Sequence, residues 1–173
     1  MRPLVKTYIA ADWENDLAAA EQLRRWNAED DWHLSFADSH GLRRAKDDSP
    51  NCRVKKAVDN LLYGIETFVL VVGDKTKSSD VGSCRHCPNY NSTRICCNLR
   101  HQTDSGSFLV HECRQAVKNN LHVVVLYHAA TVDKSKCPDE LHDLGAHKPM
   151  LFLSNNVITW NYADVKSALC PTP

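Results

Sequence analysis

Thr67-Phe-Val-Leu-Val-Val-Gly73 decides the fold. A strand with one wet face alternates apolar and polar residues. This run does not alternate, so it predicts a strand buried on both faces, as in a parallel sheet covered by helices on each side. Leu121 to Tyr127 is a second run of the same type. Before the first run, Val54, Ala57, Val58, Leu61, Leu62 and Ile65 follow the i, i+3, i+4, i+7 spacing of an amphipathic helix, and Gly64 can end it in a left-handed cap. Between the two runs Phe108 to Asn119 reads as a third helix, with Leu109, Cys113, Ala116 and Val117 on one side and Asn119-Asn120 as its stop. Toward the N-terminus, Leu4 to Ala10 reads as the first strand. Asp12 reads as the cap of a helix starting near Trp13 or Glu14, with Ala19, Leu23 and Trp26 on one face. His33 to Ala37 reads as a short second strand and Gly41 to Pro50 as a polar loop. Pro149 to Leu153 reads as the last strand and Tyr162 to Leu169 as a closing helix. The alternation predicts an α/β fold around a parallel sheet.

The 173 residues are expected to form one domain, residues 1–173. A chain of this length can bury roughly 70% of its unfolded surface, so its stability needs no covalent staple. Lys+Arg and Asp+Glu are both 21, a formal net charge of zero. A protein that grips a phosphate backbone normally carries a basic excess, so nucleic acid is not the expected partner. Zero net charge also removes the repulsion between copies, so self-association is permitted. No apolar run approaches the roughly 18 residues of a membrane span, and Met1 to Ala10 lacks the apolar core of a signal peptide. The expected location is cytoplasmic, with no membrane partner.

Two stretches break the rhythm: Asp74 to Ser107, polar and cysteine-rich, and Ala129 to Lys148, which with His128 just before it carries His142 and His147. Both are longer than ordinary connections. Cys84-Arg-His86-Cys87 is a CxxC pair, Cys96-Cys97 follows, and His101 lies four beyond Cys97. Cys84, Cys87, Cys97 and His101 make a candidate tetrahedral zinc set, with Cys96 or His86 as alternates. Zinc here would be structural, supplying folding free energy to a segment without a core. A redox pair and plain free thiols remain open readings. Cys52, Cys113 and Cys170 read as small buried hydrophobes.

In an open parallel sheet, ligands bind beyond the carboxyl ends of the strands. That edge collects Ala10-Ala11-Asp12-Trp13, Asp38-Ser39-His40, Gly73-Asp74 and His128, and the third helix adds Glu112. The chain has no GxxxxGK[ST] loop, no GxGxxG and no Gly-x-Ser-x-Gly elbow. A phospho-receiver site would want clustered acids and a lysine after the last strand, and Lys148 precedes that predicted strand.

The order Lys6-Thr-Tyr-Ile-Ala10, an Asp after the strand, then Trp26-Asn27 resembles the opening of bacterial TIR-like domains. Cys52 through Gly73 resembles their second helix and third strand. Phe108-Leu-Val-His-Glu112, followed by Cys113 to Asn120 and Leu121 to Tyr127, resembles their catalytic helix and fourth strand. The resemblance is to the branch that supplies the TIR subunit of Thoeris antiphage systems. It spans about residues 5–127, with an echo at Ile158-Thr-Trp-Asn161. It implies a flavodoxin-like, three-layer domain with a central five-stranded parallel sheet. The family's connection after strand three is short, so residues 78–105 read as a Cys-rich insertion between strand three and the third helix.

The resemblance also implies an activity. Relatives split NAD+ into nicotinamide and an ADP-ribose product, acting as glycohydrolases, cyclases or transferases. In Thoeris systems a cyclic or conjugated product signals to a separate effector protein. The family glutamate follows an aromatic residue by four positions, and here Phe108 precedes Glu112 by four. Glu112 is thus the expected catalytic carboxylate. Ala10, Ala11, Asp12, Trp13, Asp38, Ser39, Phe108 and His111 are the expected NAD-binding residues. One carboxylate suffices on physical grounds. Nicotinamide leaves as a neutral molecule, so no general acid is needed, and the ribose passes through an oxocarbenium-like state that a negative group stabilises. Homo-oligomerisation on activation and a phage-derived trigger are expected with this reading. Two other functions remain open: a non-catalytic TIR-like interaction module, and a nucleoside deoxyribosyltransferase-like enzyme.

Overall fold

A computed structural model describes residues 3–45 and 50–170. Its centre is the predicted run: β3 (Thr67–Val72), every residue of which is buried. β3 pairs in parallel with β1 (Val5–Ala10) on one side and β6 (His122–Tyr127) on the other. β2 (Leu34–Asp38) flanks β1, and β7 (Ala146–Pro149) flanks β6. The sheet order is β2-β1-β3-β6-β7, all parallel. This is the flavodoxin-like three-layer arrangement. The strand order reverses between β1 and β3, the place where such sheets open a ligand crevice.

Side chains alternate across the sheet and build two cores. Ile9, Val69, Val71, Val124 and Leu126 face α1 (Leu17–Asp30) and α5 (Tyr162–Leu169). Tyr8, Phe68, Leu70, Val123 and Val125 face α3 (Asn51–Leu62) and α4 (Phe108–Lys118). α4 begins where its sequence dictates, with the Ser107 hydroxyl accepting the Val110 N–H at 3.1 Å.

Four readings are corrected. α1 starts at Leu17, not near Trp13, because Asp12 closes a turn of its own. The Asp12 carbonyl accepts the N–H groups of Asn15 and Asp16, and its carboxylate accepts from Glu14 N–H and Asn15 Nδ2. Part of the expected Gly41–Pro50 loop is helical, α2 (His40–Ala45); residues 46–49 of that reading lie outside the described residues. The fifth strand is Ala146–Pro149. The stretch expected to be that strand instead forms β8 (Leu151–Ser154), antiparallel to β9 (Val157–Trp160) in a separate hairpin. Lys148 accordingly lies within the last strand of the sheet. The segment 78–105 holds a 3-10 turn at Cys84–His86 and a two-residue antiparallel pair, β4 (Tyr90–Asn91) and β5 (Cys96–Cys97). None of its side chains belongs to either core.

Candidate active site

Glu112 sits in the second turn of α4 and is fully buried. Its Oε1 accepts the Tyr8 hydroxyl at 2.8 Å and the Ser39 hydroxyl at 2.6 Å. Tyr8 comes from β1 and Ser39 from the first position after β2, both fully buried. The helix therefore aims a carboxylate at the carboxyl edge of the two strands beside the crevice. A buried carboxyl oxygen needs hydrogen-bond donors, and two hydroxyls supply them to this one. Ser39 was expected at the site. Tyr8 was not, although a tyrosine inside an apolar strand signals a hydroxyl that needs a partner.

The other expected residues divide. Ala10 and Ala11 are fully buried at the end of β1 and just beyond it. The Trp13 ring is covered, stacked on His40 at 5.0 Å between centroids, with the Arg24 guanidinium over it at 5.7 Å. Arg24 also pairs with Asp38, whose other oxygen accepts the His40 N–H at 2.8 Å. Asp38, His40, Trp13 and Arg24 thus interlock along the edge. Phe108 packs under the insertion: a Cβ on Gly82, at φ +90°, would meet its ring at 2.4 Å. His111 turns away from the crevice. Its Nε2 lies 2.7 Å from Asp59 Oδ1, in a cavity of about 530 Å³ between α3, α4 and the insertion that Lys55, Asp104 and Arg114 also line.

A second pair at the edge joins His128, which the sequence reading placed there, to Asp16, which it did not. Asp16, 3% exposed, bonds His128 Nδ1 at 2.8 Å through Oδ1. Its carboxylate rests on Gly73, where an added Cβ would lie 2.2 Å from Oδ2. Asp16, Gly73 and His128 follow β1, β3 and β6 in turn. Asp12 drew the reading because it directly follows the strand, but its turn delivers Asp16 instead.

In the insertion, Cys52, Cys84, Cys87, Cys97 and His101 line one small cavity. Cys52 is corrected: it is half-buried at the start of α3, its Sγ 3.0 Å from His101 Nδ1. Burial first, and the neighbouring Cys97, Cys84 and Cys87 after it, hold its thiol above the ordinary value. His86 is drawn off by Asp80 at 2.6 Å, and Cys96 does not line the cavity. All eight cysteines are free thiols. Among the described residues no three or more His, Cys, Asp or Glu side chains are already arranged to hold a metal ion. Cys113 is fully buried, as expected, and Cys170 is half-buried.

The family model for the TIR-like domain of the Thoeris protein ThsB matches residues 8–81. Over that stretch, less than half of the chain, the sequence is similar to a ThsB TIR-like domain. No curated protein matches. The ThsB match takes in the second half of β1 with β2 and β3 and ends before α4, so it includes Tyr8 and Ser39 but not Glu112. Among the described residues, no helix of this ThsB-like chain is long and apolar enough to cross a membrane.

Proposed function

We propose that this chain cleaves the bond between nicotinamide and ribose in NAD+, with Glu112 as the catalytic carboxylate. The observation that carries the reading is a fully buried carboxylate, held by Tyr8 and Ser39 at the ligand edge of the sheet. A fully buried carboxyl group is costly, and such costs persist mainly where function uses them. In the reaction the C1′–N bond breaks and its electron pair goes to the nicotinamide nitrogen, which leaves neutral. The Glu112 carboxylate stabilises the ribosyl cation left behind and accepts a hydrogen bond from a ribose hydroxyl. An acceptor nucleophile then closes the product, an ADP-ribose-derived nucleotide, cyclic or conjugated, that signals to a separate effector.

Glu112 is sealed by Ser39, the residue directly before α2. Withdrawal of Ser39 with α2 would free Oε1 for a ribose hydroxyl, exchanging one hydroxyl donor for another. That fits an enzyme silent until a phage-derived trigger or self-assembly opens it. Ala10, Ala11 and Asp12 are proposed to border the phosphates, and Asp38 the ribose. The same full burial favours one competitor, a TIR-like interaction module in which Glu112 only braces Tyr8 and Ser39.

The test is nicotinamide release from NAD+ by the purified chain, with and without lysate of phage-infected cells, alongside free-base release from deoxynucleosides. Activated wild type releases nicotinamide. Glu112→Gln stays folded and loses roughly 10²–10³-fold in rate, the usual cost of removing one transition-state stabiliser. Retained turnover in the folded variant ends the proposal, and release of base from deoxynucleosides transfers the chain to the other enzyme class.

A further inference from the structure

Zinc held by Cys52, Cys84, Cys87 and Cys97 is what we infer from the insertion: one structural ion that staples residues 78–105 to helix α3. This goes beyond the NAD+ reading and does not depend on it.

The insertion has an ordering problem. None of its side chains joins a core, and Val81, Ile95 and Leu99 point into solvent. Hydrophobic burial therefore cannot offset the entropy of fixing this backbone. Yet the chain is folded there in detail, and each short element delivers a thiol to one point. The 3-10 turn sets Cys84 beside Cys87, whose N–H donates to the Cys84 carbonyl at 3.0 Å. The Cys87 carbonyl then accepts the Tyr90 N–H at 2.9 Å, starting the hairpin whose far strand carries Cys97. Cys97 and Cys96 are adjacent in that strand, so their side chains point to opposite faces, and only Cys97 reaches the cavity. A further turn, Arg100 N–H to the Cys97 carbonyl, brings His101 round to Cys52.

The cavity they enclose measures about 10 Å³. That is roughly the space of a single water-sized sphere. It suits one ion and excludes an iron–sulfur cluster or an organic ligand. Four thiolates favour a soft or borderline ion in tetrahedral geometry, for which Zn²⁺ is the ordinary occupant. The thiols line the space without converging, so binding draws them inward to about 2.3 Å from the metal. Uptake of one Zn²⁺ by four neutral thiols releases four protons. Two details suit thiolates. The Asp104 N–H donates to Cys84 Sγ at 3.2 Å, and His101 Nδ1 lies 3.0 Å from Cys52 Sγ, where its N–H tautomer would donate to a thiolate. The ion would also steady α4, because the Val81 carbonyl accepts the Phe108 N–H at 2.8 Å at the start of that helix.

The experiment is metal analysis of the full chain, purified reduced and without chelator, followed by Co²⁺ substitution. The expected result is one zinc per chain and the visible spectrum of Co²⁺ bound by four sulfurs. Cys96→Ala and His86→Ala keep both signatures, and Cys52→Ala loses stoichiometric zinc. Absence of zinc together with failure to take up Zn²⁺ or Co²⁺ overturns the inference. So does a three-sulfur, one-nitrogen spectrum, which would put His101 in the set in place of one of the four cysteines, whether or not the Cys52 variant folds. A disulfide among these four cysteines, found by mass analysis of unreduced protein, overturns it as well.

Discussion

Two hydroxyl groups share one oxygen of the Glu112 carboxylate, and that sharing makes a specific demand on the residues involved. Hydrogen bonds to a charged group each contribute about 1.5–3 kcal/mol, and a buried charge deprived of one feels most of that loss. Tyr8→Phe removes the donor at 2.8 Å while preserving the ring that stacks on Phe68. Its expected cost is about 1.5–3 kcal/mol in urea unfolding. Combined with Glu112→Gln, the two changes should cost clearly less than their sum, because they dismantle one interaction. Strict additivity in that cycle would mean that Tyr8 and Glu112 do not act together. At this scale the sequence was only partly readable. Glu112 emerged from a family pattern rather than from its neighbours, since nothing in the spacing of Tyr8, Ser39 and Glu112 marks them as adjacent. Their meeting is made by the register of β1 and β2 and by the second turn of α4. Asp16 was hidden for a similar reason: a turn closed by Asp12 moved the buried carboxylate four residues downstream.

Elements with an unbroken apolar pattern were legible, and those placed by backbone pairing alone were not. β3 and β6 read directly, because strands buried on both faces must be apolar throughout. β7 did not. Ala146-His-Lys-Pro149 lies at the sheet edge, half-buried, and the ladder it makes with β6, rather than any apolar pattern, sets it in the sheet. The more apolar Leu151-Phe-Leu looked like a better strand and is one, in its own hairpin. The β7 edge carries a pH-sensitive contact. His147 Nδ1 lies 2.8 Å from the Tyr127 hydroxyl, and Nε2 lies 3.1 Å from the Leu144 carbonyl. A neutral ring satisfies both, accepting from Tyr127 and donating to Leu144. Burial first, with Lys134 and His142 adding repulsion, holds the His147 pKa below its usual 6.5, while the carbonyls of Leu144 and Leu141 oppose this. The unfolded state therefore binds more protons between the folded value and 6.5. The stability contributed here is complete above 6.5 and is lost as pH falls through that window. His147→Gln should flatten this part of the stability–pH curve, as measured by urea unfolding between pH 5 and 7.5. An unchanged slope would assign the pH dependence to other groups.

For the whole molecule, charge and surface act together. Positive and negative side chains balance at 21 each, and the isoelectric point is near 7.1. Repulsion between copies is therefore weakest near neutral pH. The same molecule exposes large apolar side chains on the β8–β9 hairpin: Leu153 and Ile158, each about 60% exposed, pair on one face, and Phe152 and Val157 lie on the other. This hairpin lies outside the five-stranded sheet; its Trp160 packs against the α1-side core, but these four exposed residues belong to neither core. An exposed apolar patch with no net charge to keep copies apart lowers solubility. Solubility should therefore pass through a minimum near pH 7 and rise on either side. Replacing Leu153 and Ile158 together by Lys should raise solubility at pH 7 while changing stability by less than about 0.5 kcal/mol per site, as expected for surface positions. Polyethylene glycol precipitation measures the first and urea unfolding the second. A large loss of stability in the double variant would show that the hairpin is held by contacts its exposure does not suggest. An unchanged precipitation curve would remove the patch as the cause of low solubility.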